Sequence, residues 1–273
     1  MREKGVFSLH DPKPRFEILG VKISAINLKE AIEVIDLWIK NKHKDYIVLT
    51  GSHGVIEMQE DEKLKSINNF SGLTTPDGMP IVWLGRLNGF KHIEKVYAPD
   101  IMLATFKVSI TRGYRHFFYG GKKTIPELLA KKMKIRFPGL KIVGTYSPPF
   151  RQLTKEEEQS IADMINSTNP DIIWAGLGCP KQEYWMTNFR SLLEAPVLIG
   201  VGAGFDFLAG KSALAPNWIK ISGFEWLFRL LNDPKRLWAR YSRVIPKFIY
   251  LCFTRGKIFK KFIKYLLKKK DGK

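Results

Sequence analysis

The sequence predicts an α/β protein: a Rossmann-like, largely parallel sheet with helices on both faces, followed by a helical, basic C-terminal appendage. Three observations predict it. Over the first 210 residues, β-branched apolar runs alternate with amphipathic helical stretches, the pattern of the strand and helix units that build parallel sheets. Most of those runs end in glycine or a small polar residue. After about Lys211 no strand-like run recurs, and basic and aromatic residues accumulate instead.

Each element has its own signal. "RFEILGVKISAI" predicts a strand pair, and Asn27 with Glu30 makes a capping-box start for the helix "LKEAIEVIDLWIKNK". "DYIVLTG" reads as a strand ending at Gly51, "GVIEMQEDEKLKSINN" as one helix, "GLTT" as a short strand and "MPIVWLGRLNG" as a helix. "RHFFYGG" and "LKIVGTYSPPF" read as strands on either side of the helix "TIPELLAKKMKIRFP". Thr154 with Glu157 caps "KEEEQSIADMINST", and "DIIWAGLG" and "APVLIGVGAGFDF" are apolar strands. The appendage holds helical segments with expected breaks near Asp233-Pro234 and at Pro246. The expected division is therefore a Rossmann-like domain over 1–210 and a helical, basic appendage over 211–273.

Composition narrows the function classes. The 273 residues carry a net charge of +19, of which +14 lies from Lys211 onward, where 17 Lys and Arg face three acidic residues. Twelve of the 34 aromatics are interleaved with that charge. Such a mixture suits an interfacial helix on an anionic membrane surface, and nucleic acid is the disfavoured rival because the rest of the chain is close to neutral. Cys179 and Cys252 form no Cys-x-x-Cys spacing, so no disulfide framework or thiolate metal site is expected and a reducing, cytosolic setting fits. "MREKGVFSLHDPKPRF" has no apolar core, so no signal peptide is expected, and no run approaches the roughly 20 apolar residues of a spanning helix.

Ligands of an open parallel sheet bind at the carboxyl ends of its strands. Five runs end there in small or polar residues: Thr50 to Gly54, Thr75 to Gly78, Gly120 to Lys123, Gly176 to Glu183 and the glycines of "GVGAGFDFLAG". None matches a dinucleotide fingerprint or a P-loop, which disfavours a dehydrogenase, and each taken alone reads as a turn closing a strand and helix unit. Asp77 sits between Pro76 and Gly78, a tight-turn context in which its carboxylate could simply bond its own backbone. His53 lies in a glycine-flanked strand end, and no His, Asp or Glu spacing suggests a metal site.

The segments "TTPDGMPIVW", "VYAPDIM", "FFYGG", "VGTYSPPF", "GLGCPKQEYW", "GVGAGFDFLAGK" and "APNWIKISGFEWLFRLLNDPKRLWARY" follow one another between about residues 17 and 243. In content and order they resemble the WecG/TagA/CpsF glycosyltransferases, glycosyltransferase family 26. The resemblance implies transfer of a sugar from a UDP-sugar to a polyprenyl-diphosphate-linked acceptor by a peripheral protein at the cytoplasmic membrane face, without cofactor or metal. It implies that Asp77 is the general base, taking the acceptor proton as the hydroxyl attacks C1 of the donor. It implies that Gln182, beside Glu183, is a ligand of donor or acceptor, that Thr50 lines the pocket and that Asp100 lies near the site. Ser52 and His53, next to Thr50, are expected to contact substrate, and Gly120 and Gly121, at a helix start suited to a phosphate, are expected near the donor.

Three positions depart from the family pattern: Ser52 where some members carry Asn, Lys95 where Arg is frequent and Leu214 where Arg is usual. They point toward a donor other than the N-acetylmannosamine type, such as a UDP-hexose used in exopolysaccharide synthesis. The alternative is N-acetylmannosaminyl or N-acetylmannosaminuronyl transfer of the teichoic acid or enterobacterial common antigen type. The appendage arginines Arg229, Arg236, Arg240 and Arg243 are the expected partners of the leaving diphosphate, with Arg229 and Arg236 as the clamp. A non-catalytic membrane-binding module stays open as a reading of another class, and so does a homo-oligomer.

Overall fold

The structure, a computed structural model, describes residues 9–10 and 12–255. The basic, lysine-rich end expected to meet the membrane falls largely outside the described residues. Strands β1 (Arg15–Ile18) and β2 (Val21–Ser24) form an antiparallel hairpin that packs against the domain. The main sheet has six parallel strands: β3 (Asp45–Thr50), β4 (Leu73–Pro76), β5 (Arg115–Gly120), β6 (Lys141–Tyr146), β7 (Ile172–Gly176) and β8 (Val197–Gly200). Their spatial order is β4-β3-β8-β7-β5-β6. From β3 the chain steps outward to β4, crosses to build the β5 and β6 half, then returns through β7 and β8 to close beside β3. The predicted fold class is the observed one.

Helices cover both faces of the sheet. On one face α1 (Leu28–Lys40), α5 (Ala98–Arg112), α6 (Ile125–Arg136) and α9 (Gly204–Leu208) bury Trp38, Met102, Phe106, Leu129 and Phe205. On the other, α3 (Glu62–Phe70), α7 (Lys155–Ser167) and α8 (Lys181–Phe189) bury Ile67, Ile165 and a ladder in which Tyr119 stacks on Trp185 at 4.1 Å. Both predicted capping boxes are present, Asn27 with Glu30 on α1 and Thr154 with Glu157 on α7.

Five elements differ from the sequence expectation, one being the strand expected over 195–207, which ends at Gly200 and gives way to α9 from Gly204. The single helix expected over 54–69 is two, α2 (Ser52–Glu60) and α3, because Asp61 leaves helical geometry and its carboxylate caps Leu64 N at 2.9 Å. Helix α5 carried no clear apolar stripe. Its buried face includes Thr105 and Ser109, whose hydroxyls donate to the carbonyls four residues back, while Ile110 is exposed. Helix α8 was hidden similarly, since Gln182 and Glu183 occupy its buried face. The expected break at Pro246 is absent: α12 (Pro234–Thr254) runs through it. Pro246 and Ser242 are both solvent-exposed, so water can satisfy the Ser242 carbonyl that the missing N–H leaves free.

The remaining helices are α4 (Met79–Leu87), α10 (Asn217–Ser222) and α11 (Glu225–Asn232). Helix α12 lies against α2 and buries Val244, Phe248 and Leu251 with Ile18, Val55 and Ile81. Arg243 pairs with Glu57 at 2.6 Å and Lys247 pairs with Glu60. The C-terminal helices are thereby held beside the carboxyl ends of β3 and β4. Among the described residues no helix is long and apolar enough to cross a membrane.

One core residue makes stability depend on pH. His116 is fully buried, its Nδ1 accepts from Trp174 Nε1 at 3.0 Å, and burial pushes its pKa down to about 3. A depressed imidazole pKa favours the fold above the unfolded value near 6.5, and that contribution is lost as pH falls from there toward 3. His116→Asn keeps an acceptor for Trp174 and removes the titration. We expect the wild-type melting temperature to fall relative to this variant between pH 7 and pH 5; a constant difference across that range excludes the effect.

Candidate functional site

The centre of the site follows from strand register. Thr50 and Pro76 are partners at the ends of β3 and β4, so Gly51 and Asp77 emerge side by side. Asp77 N donates to Thr50 O at 3.0 Å, and a Cβ on Gly51 would stand 2.6 Å from Asp77 O, so no larger residue fits there. Val96 N holds Pro76 O at 2.9 Å, and Gly78, at φ +109°, turns the chain directly into α4. The turn predicted around Asp77 is present. It places Asp77 in the wall of a cavity of about 1050 Å³ rather than on open surface.

That cavity lies between the hairpin tip, the starts of α2 and α4, and helices α10 to α12. Its charged wall includes Asp77, Lys95, Lys220, Glu225 and Arg229, with Glu17 and Arg255 also lining the cavity. Glu225 pairs with Lys95 and, at 2.5 Å, with Arg229, while Lys220 stands 3.8 Å from Asp100. The ammonium groups of Lys95 and Lys220 lie 4.1 Å and 5.2 Å from the ring centre of Tyr97, whose buried hydroxyl has no hydrogen-bond partner among the described residues. Burial pushes the Asp77 carboxyl above its ordinary range, against the pull of Lys95 and Arg229 and with the help of Glu225 and Asp100. Burial also raises Glu225, but Arg229 and Lys95 outweigh it and hold Glu225 below its ordinary value.

Of the residues expected from the sequence, Asp77, Ser52, His53, Lys95 and Arg229 line this one cavity. Burial, with Arg240 and Arg243 nearby, lowers the His53 pKa despite Glu57 at 3.4 Å. Thr50 is buried and its hydroxyl donates to Asn68 Oδ1 at 2.7 Å. Gln182 is also buried and its carboxamide is engaged at both ends: Oε1 accepts from Gly202 N at 2.8 Å and Gly178 N at 3.2 Å, and Nε2 donates to Glu183. It ties the loops after β7 and β8 together. Burial raises the Glu183 carboxyl, and its second oxygen has no hydrogen-bond partner among the described residues. Gly121 N bonds Gly176 O at 2.9 Å, which brings the ends of β5 and β7 together. Arg236 and Arg240 are exposed on α12 outside the cavity wall, Arg236 paired with Asp233 at 2.5 Å.

Sequence reasoning missed Tyr97, Lys220 and Glu225. Only Glu225 left a signal, as one of three acids in the basic, aromatic segment from Lys211 onward.

The helix starts bear on the site as well. Helices α2, α4, α6 and α8 follow β3, β4, β5 and β7 and have no side-chain cap; α5 and α9 to α12 lack one too, and among the described residues only α1, α3 and α7 have one. Uncapped N–H groups at the carboxyl edge of a sheet are donors for anionic ligands. Among the described residues His10, His43 and Asp45 bring metal-capable atoms within 4.8 Å of one another, but at the amino end of β3. There Asp45 accepts from Tyr46 N, Gly72 N and His10 Nδ1, so its carboxylate clasps the N-terminal segment to the sheet.

Comparison with known proteins adds the relatives. A family described as "Glycosyl transferase WecG/TagA/CpsF family" matches residues 16–262. Three similar proteins share the name N-acetylglucosaminyldiphosphoundecaprenol N-acetyl-beta-D-mannosaminyltransferase. The protein from Bacillus subtilis (strain 168) is 30% identical over 203 residues, 74% of this chain and 77% of its own. That of Bacillus spizizenii is 27% identical over 210 residues, 77% and 79% of the two chains, and that of Staphylococcus aureus (strain MW2) is 23% identical over 239 residues, 86% and 91%.

Proposed function

The chain belongs to the WecG/TagA/CpsF family of glycosyl transferases, and from that premise we propose that it transfers a sugar, with inversion, from a UDP-sugar to a saccharide carried on a polyprenyl diphosphate. The observation that carries the reading is Asp77, a carboxylate of raised pKa at adjoining strand ends, facing a cavity whose wall also carries Lys95, Lys220 and Arg229. Asp77 accepts the proton of the acceptor hydroxyl, the oxygen attacks C1 of the donor sugar, and the bond from C1 to the UDP oxygen breaks. Arg229 and Lys95 supply positive charge where the two substrates meet, and the uncapped starts of α6 and α8, with Gly120, Gly121 and Gly178, receive the donor diphosphate. Gln182 acts from behind, holding the donor loops in register. Arg229 is the half of the expected arginine clamp that we retain, since Arg236 lies outside the cavity wall.

The names of the relatives favour an N-acetylmannosaminyl group as the sugar and polyprenyl-diphosphate-linked N-acetylglucosamine as the acceptor, over the UDP-hexose suggested by Ser52, Lys95 and Leu214. Attachment to the cytoplasmic face is peripheral in this reading. Trp218, Ile221, Leu231 and Trp238, on the C-terminal helices α10 to α12 that also carry Lys220, Arg229, Lys235 and Arg236, are exposed and suited to anionic lipid. UDP release measured across a panel of UDP-sugars tests the activity. We expect release with UDP-N-acetylmannosamine only when the lipid-linked acceptor is also present. No acceptor-dependent release from any donor in the panel overturns the proposal.

A further inference from the structure

The cavity at Asp77 has two unlike ends. Its polar end holds Asp77, Lys95, Lys220, Glu225 and Arg229. The rest of its wall is mostly apolar, with Trp83 and Leu87 of α4, Phe248, Ile249 and Phe253 of α12, and Leu19 at the hairpin tip, alongside Glu17, Gln59 and Arg255. At about 1050 Å³ the space is at the upper end of the range for small-molecule sites. Sites for a nucleotide sugar alone do not need a long aliphatic and aromatic wall. Meanwhile the glycines at the ends of β5, β7 and β8, where the donor is placed, do not line this cavity.

Leu87 and Ile249 are 65% and 50% exposed, and Trp83 and Phe253 are about half exposed, so the apolar wall continues to the outer surface. An exposed apolar surface of this kind, on a chain with no membrane-crossing helix among its described residues, marks a binding site for an apolar partner. The partner must match both ends at once: anionic or hydroxylic at the charged end, and a long hydrocarbon along the wall.

We propose that the groove between the hairpin tip, α4 and α12 holds the first isoprene units of the acceptor's polyprenyl chain, with the sugar and diphosphate at the charged end. This rests on the proposed function for the identity of the lipid, and it adds that the appendage is half of the acceptor site. Helix α12 supplies one wall and α4 the other, so the acceptor is selected by its tail as well as its sugar.

Tail recognition is separable from chemistry by direct binding. The probes are polyprenyl monophosphates of eleven and of two isoprene units, solubilised in the same detergent and titrated against the full-length protein by tryptophan fluorescence. Trp83 and Trp226 line the cavity and report occupancy. We expect the long probe to bind at least tenfold more tightly than the short one. In Leu87→Glu and Ile249→Glu, whose side chains are exposed enough to leave the fold intact, the affinity for the long probe falls to that for the short one. Equal affinity for the two probes in the wild type overturns the groove, as does a tail preference that both variants retain. Tail-dependent binding that both variants lose, without sugar transfer from any donor, leaves the groove standing and overturns the proposed activity instead.

Discussion

Asp77→Asn lowers kcat/KM by about 10²–10⁴-fold, the usual contribution of a positioned general base, while the KM for the acceptor changes little. The substitution is close to isosteric. Asp77 N still bonds Thr50 O and Gly78 still turns the chain, because both features are backbone. What is lost is the capacity to accept a proton. The pH dependence gives an independent reading. Burial raises the Asp77 pKa, so the wild-type enzyme loses activity on acidification through a value above the 3.8 of a free aspartate. The residual activity of Asp77→Asn lacks that acid limb. Turnover within a few-fold of wild type, or an acid limb that survives the substitution, removes Asp77 from the role of base.

Much of the fold was legible because sheet-building patterns are local. The apolar runs, most of them ending in glycine or a small polar residue, located every strand of the main sheet, and capping boxes located α1 and α7. What was illegible is instructive. Helices α5 and α8 bury Thr105, Ser109, Gln182 and Glu183, and a helix with polar groups on its buried face has no clean apolar period. The partition of the site was hidden for a different reason. Asp77 and Gly51 meet through the register of β3 and β4, and Lys95 meets Glu225 across 130 positions, which no local pattern encodes. Gln182 shows the same gap from the other side. Its place in a motif suggested a ligand, while the geometry uses its carboxamide to join two loops.

Glu225→Gln and Arg229→Gln should move the acid limb of the pH profile in opposite directions. Lys95 and Arg229 lower the Asp77 pKa, and Glu225 raises it. Neutralising Glu225 leaves Asp100 as the one carboxylate opposing the two cations at Asp77, so its pKa falls and activity persists to lower pH. Neutralising Arg229 removes one of the two opposing cations, so the pKa rises and the acid limb moves toward neutrality. The stability effects do not follow this sign. Glu225 and Lys95 are only 14% and 11% exposed, so deleting the shared carboxylate leaves two cations poorly solvated and costs up to about 3 kcal/mol. Arg229→Gln also slows turnover, since it withdraws positive charge from the reacting centre, whereas a purely structural arginine would lower the melting temperature without displacing the limb. Measuring kcat/KM against pH for both variants separates these roles. Limbs that coincide with wild type would mean that the cluster acts on the fold alone, and opposite displacements identify Glu225 as the residue that tunes the base.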